Sequence, residues 1–369
     1  MMHGISKILV IYSGKESYGG IYTFWKNIID NSPNGMKYEF LSLTEKIPEY
    51  PTILKPLPQF LINLSFKLNI HYYVTGLCLI YYLNEIKKYD LVIFNQPTAF
   101  PCGYFLKNKI KTINVLHGCA KSCYDAWLNE NFVYYIYYKI LAFFEKISGN
   151  CCDKVLTVSE FSRMNLIHEG IKKPVINCNF GVNLKNRVIT SSATNLNQFK
   201  NKNEYIMLFV GRFDIGKGSK ELTNIMKNLY IDYPDIKLIC VSDKPKNYEK
   251  LKKYNIEFLN SISDEELVNL YSKSDLFIFP TKYEGYGSVV AEAASFGLPI
   301  ITTNTGIGYN IKSLNIPGIY INKTNEDITT YGKQILKEYF KRKKYDYSEI
   351  NYLFDVKYSL KKWYDELKG

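Results

Sequence analysis

Apolar residues recur along this chain in two series of short runs separated by longer amphipathic stretches. Continuous apolar runs at 7–12, 38–43, 90–94, 112–116, 154–158 and 175–179 predict strands of a parallel sheet, because a strand covered on both faces shows no alternation. Helical periodicity predicts helices over 21–29, 60–86, 126–147 and 160–168 between them. A polar stretch at 186–203 has no apolar period and reads as a linker. The alternation then restarts. Strands are expected at 205–210, 236–241, 257–259, 276–279, 299–302 and 318–321, and helices at 220–230, 264–273, 288–296 and 325–344. A last amphipathic stretch, 356–367, must pack on another part of the chain. Repeated strand–helix units imply doubly wound sheets. The expected organisation is therefore a Rossmann-like domain over 1–185 and a second over 186–345, followed by a helical segment, 346–369, that returns toward the first domain.

The length of 369 residues suits two domains, and 46% apolar against 22% charged residues excludes wholesale disorder. The net charge of +12 divides as +7 over 1–185 and +5 beyond, with no basic stripe. Only four arginines (Arg163, Arg187, Arg212, Arg342) are available, a poor supply for reading base edges, so nucleic acid is not an expected partner. Codons rich in A and T account for much of the Lys and Tyr excess, which makes each retained arginine worth inspecting. The apolar stretches 70–83 and 132–144 fall short of the roughly 18 residues that span a bilayer. The first strand begins almost at residue 1, with no charged and apolar leader before it, so no secretory signal is expected and the cytoplasm is the expected compartment. Eight cysteines occur without paired CxxC spacing or an accompanying histidine cluster, so the sequence predicts no metal site. Segments 58–82 and 127–144 mix aromatic residues with lysine. They either meet an anionic membrane peripherally or simply pack within the first domain.

Ligands of open parallel sheets sit beyond the carboxyl ends of strands, near helix N-termini. Four such places carry unusual residues. After the first strand comes Ser13-Gly14-Lys15-Glu16-Ser17-Tyr18-Gly19-Gly20, whose paired glycines admit a close ligand but which lacks the dinucleotide GxGxxG pattern. His117-Gly118 ends the strand at 112–116. Gly211-Arg212-Phe213-Asp214-Ile215-Gly216-Lys217-Gly218 follows the first strand of the second half. Arg212 supplies a planar fork for phosphate oxygens and Lys217 a point charge, at the start of a helix. The fourth place is Glu284-Gly285-Tyr286-Gly287-Ser288-Val289-Val290-Ala291-Glu292. Its carboxylates, eight residues apart, are separated by roughly 12 Å at the helical rise, too far for a retaining glycosidase pair at about 5–5.5 Å. They suit acceptors of hydrogen bonds from two parts of one extended, hydroxyl-rich ligand. Cations, helix N-termini and two spaced carboxylates together fit a nucleotide diphosphate bearing a ribose and a sugar.

These residues make the chain resemble glycosyltransferase family 4, retaining enzymes of the GT-B architecture, in which two Rossmann-like domains with parallel sheets face each other. The resemblance runs over the whole chain. It rests on the Glu-x7-Glu pattern Glu284…Glu292 followed by Ala-Ala-Ser-Phe-Gly-Leu-Pro, on Gly211-Arg212…Lys217-Gly218, Asp153…Ser159 and Phe180-Gly-Val-Asn183, and on Gly19-Gly20 and His117-Gly118. It implies that Arg212 and Lys217 hold the donor diphosphate and that Glu284 contacts the sugar and Glu292 the ribose. The amides of Gly287, Ser288 and Val289, beside Gly285 and Tyr286, would lie against the phosphates. Gly19 and Gly20 would close over the diphosphate, and His117 would touch the transferred sugar. The implied donor is a UDP- or GDP-linked sugar with no separate cofactor and no metal, and the implied acceptor is a hydroxyl of a glycan, a lipid-linked sugar or a small molecule. Departures are Val241-Ser242-Asp243-Lys244-Pro245 and Asn260, where the family has glycine, and Asn183, where it has Asp. Alternatives are a nucleotide-sugar epimerase or other enzyme on the same architecture, and a non-catalytic membrane-surface module.

Overall fold

The computed structural model describes residues 6–13, 20–33, 35–44, 46–47, 49–68, 70–128, 130–182 and 204–368. Gly19, Asn183, Arg187 and the linker at 186–203 lie outside the described residues. The chain divides into two compact units, residues 1–180 with 357–369, and residues 181–356.

Unit 1 runs β1 (Lys7–Tyr12), α1 (Gly20–Asp30), β2 (Lys37–Ser42), β3 (Thr52–Leu54), α2 (Gln59–Lys67), α3 (His71–Cys78), α4 (Leu83–Ile86), β4 (Leu91–Asn95), α5 (Cys102–Leu106), β5 (Lys111–Leu116), α6 (Ala120–Trp127), α7 (Phe132–Asn150), β6 (Lys154–Thr157), α8 (Glu160–His168) and β7 (Val175–Asn177). All neighbouring strands pair in parallel, in the order β3-β2-β1-β4-β5-β6-β7. Leu9, Ile11, Val92 and Phe94 are buried against Leu79, Ile86 and Leu106 of the covering helices. Full burial of each such side chain stabilises by about 1.5–3 kcal/mol.

Three expectations change here. The helix at 60–86 is three α-helices and a 3-10 turn at Leu79–Tyr82. The helix at 126–147 is the pair α6 and α7, broken before Asn131, whose side chain accepts from the amides of Val133 (3.0 Å) and Tyr134 (3.2 Å) and so starts α7. The short edge strand β3 was hidden by its flanking prolines, Pro51 and Pro56.

Unit 2 runs β8 (Tyr205–Val210), α9 (Ser219–Leu229), β9 (Ile236–Val241), α10 (Tyr248–Lys252), β10 (Ile256–Leu259), α11 (Asp264–Lys273), β11 (Leu276–Phe279), α12 (Ser288–Ser295), β12 (Ile300–Thr303), α13 (Gly306–Ile311), β13 (Ile319–Asn322), α14 (Ile328–Lys341) and α15 (Asn351–Phe354). The strand order is β10-β9-β8-β11-β12-β13, again parallel throughout. α11 starts with a full capping box between Ser263 and Glu266, and α12 ends at Gly297 with φ 66°.

The last helix, α16 (Val356–Lys368), lies almost wholly in unit 1. Trp363 packs edge-on against Phe24 (5.2 Å) and Trp25 (5.9 Å), Tyr364 donates to the Ile28 carbonyl, and Lys154 pairs with Glu366 at 2.7 Å.

Candidate active site

In unit 2 the chain leaves β8 toward β9 on one side and returns to pair β11 on the other. The loops after β8 and β11 thus part at the topological switch point, where open parallel sheets hold their ligands. Backbone contacts stitch these two loops together. Lys282 N–H donates to Gly216 O (2.8 Å), and Thr281 Oγ1 to the same carbonyl (3.2 Å). A Cβ on Gly216 would lie 2.5 Å from the Tyr283 ring. One on Gly218, at φ 86°, would lie 2.3 Å from Pro280 O. Neither position has room for a side chain, and Gly218 also needs the left-handed backbone that glycine adopts without cost.

Asp214 closes the turn by accepting from the Lys217 amide at 2.9 Å. The turn aims Lys217 at the other loop, where Nζ meets Glu284 Oε2 at 2.7 Å and donates to Tyr283 O at 3.3 Å. Both side chains are largely shielded, at 13% and 22% exposed. Removing one member of a shielded pair of this kind leaves the other without its charged partner. The second carboxylate oxygen of Glu284 accepts from the Gly285 amide at 3.0 Å.

Gly287, at φ 86°, then opens α12 with no side-chain cap, and helix N-termini of this kind favour anions. Glu292 sits one turn into α12, 9% exposed, and accepts from the Tyr271 hydroxyl at 2.9 Å. Tyr286 differs from the other residues of this segment. Its ring is buried, its hydroxyl donates to Leu353 O at 2.8 Å, and its carbonyl accepts from Ile307 N at 2.6 Å, so this side chain anchors the fold.

A groove of about 610 Å³ opens at the carboxyl ends of β8, β9 and β10, walled by 211–214, 241–245 and 259–262. Arg212 lies on its wall, 72% exposed, with Nε 3.5 Å from Asp214 Oδ2. The structure thus brings Lys217 and Glu284 into contact, while Arg212 pairs with Asp214 at the mouth. Sequence reasoning missed two contributors. Ser242 Oγ accepts from Phe213 N (2.9 Å) and fixes the groove wall, and Lys282, 6% exposed, pairs with Glu221 at 3.5 Å beneath the loops. The cap at Asp214, three residues before Lys217, was readable; the Lys282–Glu221 pair, 61 positions apart in the chain, left no local signal.

Unit 1 carries the remaining expected residues. His117 follows β5, and its Nε2 lies 2.9 Å from Asn95 Oδ1 at the end of β4. The same oxygen accepts from Trp25 Nε1 at 3.1 Å. An indole N–H only donates, so the atom it meets on Asn95 is the oxygen, and His117 must donate to it from Nε2. Its Nδ1 is therefore the basic nitrogen. Burial beside Phe24, whose ring lies 4.6 Å away, pushes the imidazole pKa down to about 3 and holds it neutral. Gly20 opens α1, where a Cβ would meet nothing within 4 Å. Among the described residues no three His, Cys, Asp or Glu groups gather as for a metal ion, and no helix is long and apolar enough to cross a membrane.

Residues 193–350 match the family model of glycosyl transferases group 1. That segment resembles the glycosyl transferases of group 1. The chain is 27% identical over 237 residues to an uncharacterised glycosyltransferase of Methanocaldococcus jannaschii, covering 60% of this chain and 59% of that protein. It is 26% identical over 191 residues to the capsular polysaccharide biosynthesis glycosyltransferase CapM of Staphylococcus aureus, covering 45% and 47%. The chain spans about half the length of the curated relatives it matches. Among solved structures it resembles Anabaena HepE in complex with UDP-glucose, with a TM-score of 0.70 at 16% identity over 98% and 99% of the two chains. It also resembles a sucrose-phosphate synthase from Thermosynechococcus elongatus, with a TM-score of 0.68 at 18% identity over 98% of each. The architecture is GT-B, and the Lys217–Glu284 pair and the groove both lie inside the segment that matches the family model.

Proposed function

We propose that the protein transfers a sugar, with retention of configuration, from a nucleotide-diphosphate sugar to a hydroxyl of a glycan, lipid-linked or small-molecule acceptor. The observation that carries this reading is the shielded Lys217–Glu284 pair at the switch point, in the same unit as the groove at the carboxyl ends of β8, β9 and β10 and the α12 N-terminus that has no side-chain cap. In this reading the groove takes the nucleoside, Glu292 the ribose and Glu284 the sugar hydroxyls. Lys217, Arg212 and the α12 amides take the diphosphate. As the bond from the anomeric carbon to the phosphate oxygen breaks, negative charge grows on the phosphate. Lys217 stabilises that charge best because it is already held in a poorly solvated position and need not reorganise. The acceptor oxygen bonds to the anomeric carbon from the face the diphosphate leaves, and its proton passes to the departing phosphate. His117, neutral and with Nδ1 as an acceptor, is assigned to a hydroxyl of the transferred sugar, and Gly19-Gly20 to closure over the diphosphate. HepE, solved with UDP and with UDP-glucose, supports a UDP-linked donor as the first to test, ahead of GDP. CapM, named for capsular polysaccharide synthesis, supports a glycan acceptor.

Incubating the full chain with UDP-, GDP- and ADP-sugars and measuring nucleotide release tests the proposal. Turnover of one donor class is the expected result, and neither binding nor turnover of any donor would contradict it.

A further inference from the structure

Helix α7 is inverted relative to an ordinary surface helix. Its buried positions are Ala142, Glu145, Ser148 and Gly149, small or polar residues. Its large apolar side chains face solvent: Phe132 (72% exposed), Val133 (75%), Ile136 (40%), Ile140 (52%) and Phe143 (59%). At the helical repeat these five fall within a sector of roughly 100°, and the exposed Lys139 and Lys146 lie along its edge. Helix α2 repeats the arrangement. Ile62 and Ser65 point inward, while Phe60, Leu61 and Leu64, with Leu68 just past its end, point outward beside the exposed Lys67. The two faces adjoin, since Tyr137 of α7 donates to Leu68 O (3.4 Å) and Tyr73 of α3 to Leu141 O (3.1 Å). Scattered exposed apolar residues are normal, but nine on two adjoining helices form a patch that needs a cover.

Charge selects the cover. Neither residues 56–84 nor residues 131–144 contain an Asp or Glu, so the charges interrupting these stretches are lysines. A protein partner or a second copy carries both signs on its surface. A bilayer with anionic lipids offers hydrocarbon for the apolar stripe and negative headgroups for lysines at its margin, whose stems bury while the ammonium groups stay wet. Neither helix meets the length and hydropathy needed to cross a membrane, so the face lies in the interface. We infer that the outer face of α2 and α7 is a docking surface for an anionic lipid bilayer. It extends the lipid-linked acceptor reading but stands on unit 1 alone.

Flotation of the full chain with vesicles of phosphatidylcholine and phosphatidylglycerol, against phosphatidylcholine alone, tests it. Wild type should float with the anionic vesicles and lose binding as salt is raised. The triple variant Ile136→Gln, Ile140→Gln, Phe143→Gln should bind at least tenfold more weakly, and Lys67→Gln, Lys139→Gln or Lys146→Gln about fivefold more weakly each. Circular dichroism melts check that every variant folds. Donor turnover in solution by the triple variant should match wild type, which separates loss of docking from failure of the donor reading. Wild type remaining at the bottom with anionic vesicles at low salt overturns the inference. So does equal binding by the triple variant, or a dimer in sedimentation that the triple variant dissolves.

Discussion

The switch-point loops of unit 2 and the outer helices of unit 1 use their residues in opposite ways. In the loops polar groups turn inward and find partners, and Gly216 and Gly218 stand where a single methyl would collide with the Tyr283 ring and with Pro280 O. On α2 and α7 large apolar groups turn outward and the inner face of α7 is small or polar. The first arrangement sacrifices tolerance for a fixed constellation. The second leaves a surface that the fold itself does not require. The contrast teaches that a residue's share in stability and its share in function separate here by region.

The largest expected effect lies in the loops. Glu284→Ala should lower kcat/KM for nucleotide release by about 10²-fold, because it removes the proposed contact to the sugar and leaves Lys217 without its partner. Arg212→Ala, removing an exposed group at the groove mouth, should cost less, nearer tenfold; steady-state kinetics of both variants check the order. A reversed order would move the centre of the site toward the groove wall.

Stability sharpens the comparison next. Gly218→Ala should destabilise by about 2–4 kcal/mol through its positive φ and its collision with Pro280 O, whereas Ile140→Gln should leave the melting temperature within a degree or so. Equal losses at the two sites, read by thermal melts, would mean that the outer face of α7 is part of the core after all.

The smallest effect is a dependence on pH. Burial raises the Glu145 carboxyl from 4.5 to about 7, although the Ala120 amide donates to it at 3.0 Å. The folded chain therefore holds this proton more tightly than the unfolded chain does. The resulting stability is complete below about pH 4.5 and is lost as pH rises through 7. Glu145→Gln keeps an oxygen for Ala120 and carries no charge. It should melt with wild type at pH 5 and a few degrees above it at pH 8.

The same contrast explains what could be read from the chain. Both sheets, their parallel strands, the loops that carry Arg212, Lys217 and Glu284 and the helix that carries Glu292 were legible, because fully buried strands have an unbroken apolar signature and glycine marks their ends. The breaks within 60–86 and 126–147 were not, because apolar residues continue on the outer face and blur the helical period that would have located them. Asn131 was a cap in plain sight, outweighed by the apolar run around it. α13 begins at Gly306, where a Cβ would lie 2.4 Å from Tyr286 O; close packing, which no spacing rule records, placed glycine at a helix start. The scarcity of arginine pointed to Arg212, yet the shielded contact belongs to Lys217, 67 residues from its partner in sequence. Tyr286, expected beside the phosphates, is buried with its hydroxyl donating to Leu353 O, a contact 67 residues away in sequence that no spacing rule records.

The claim that Lys217, held against Glu284, carries the charge of the departing diphosphate is tested most directly by kcat/KM for nucleotide release by wild type and Lys217→Ala on the preferred donor. A fall of at least about 10²-fold, with the variant still folded, is the expected result. A value within threefold of wild type would contradict the account.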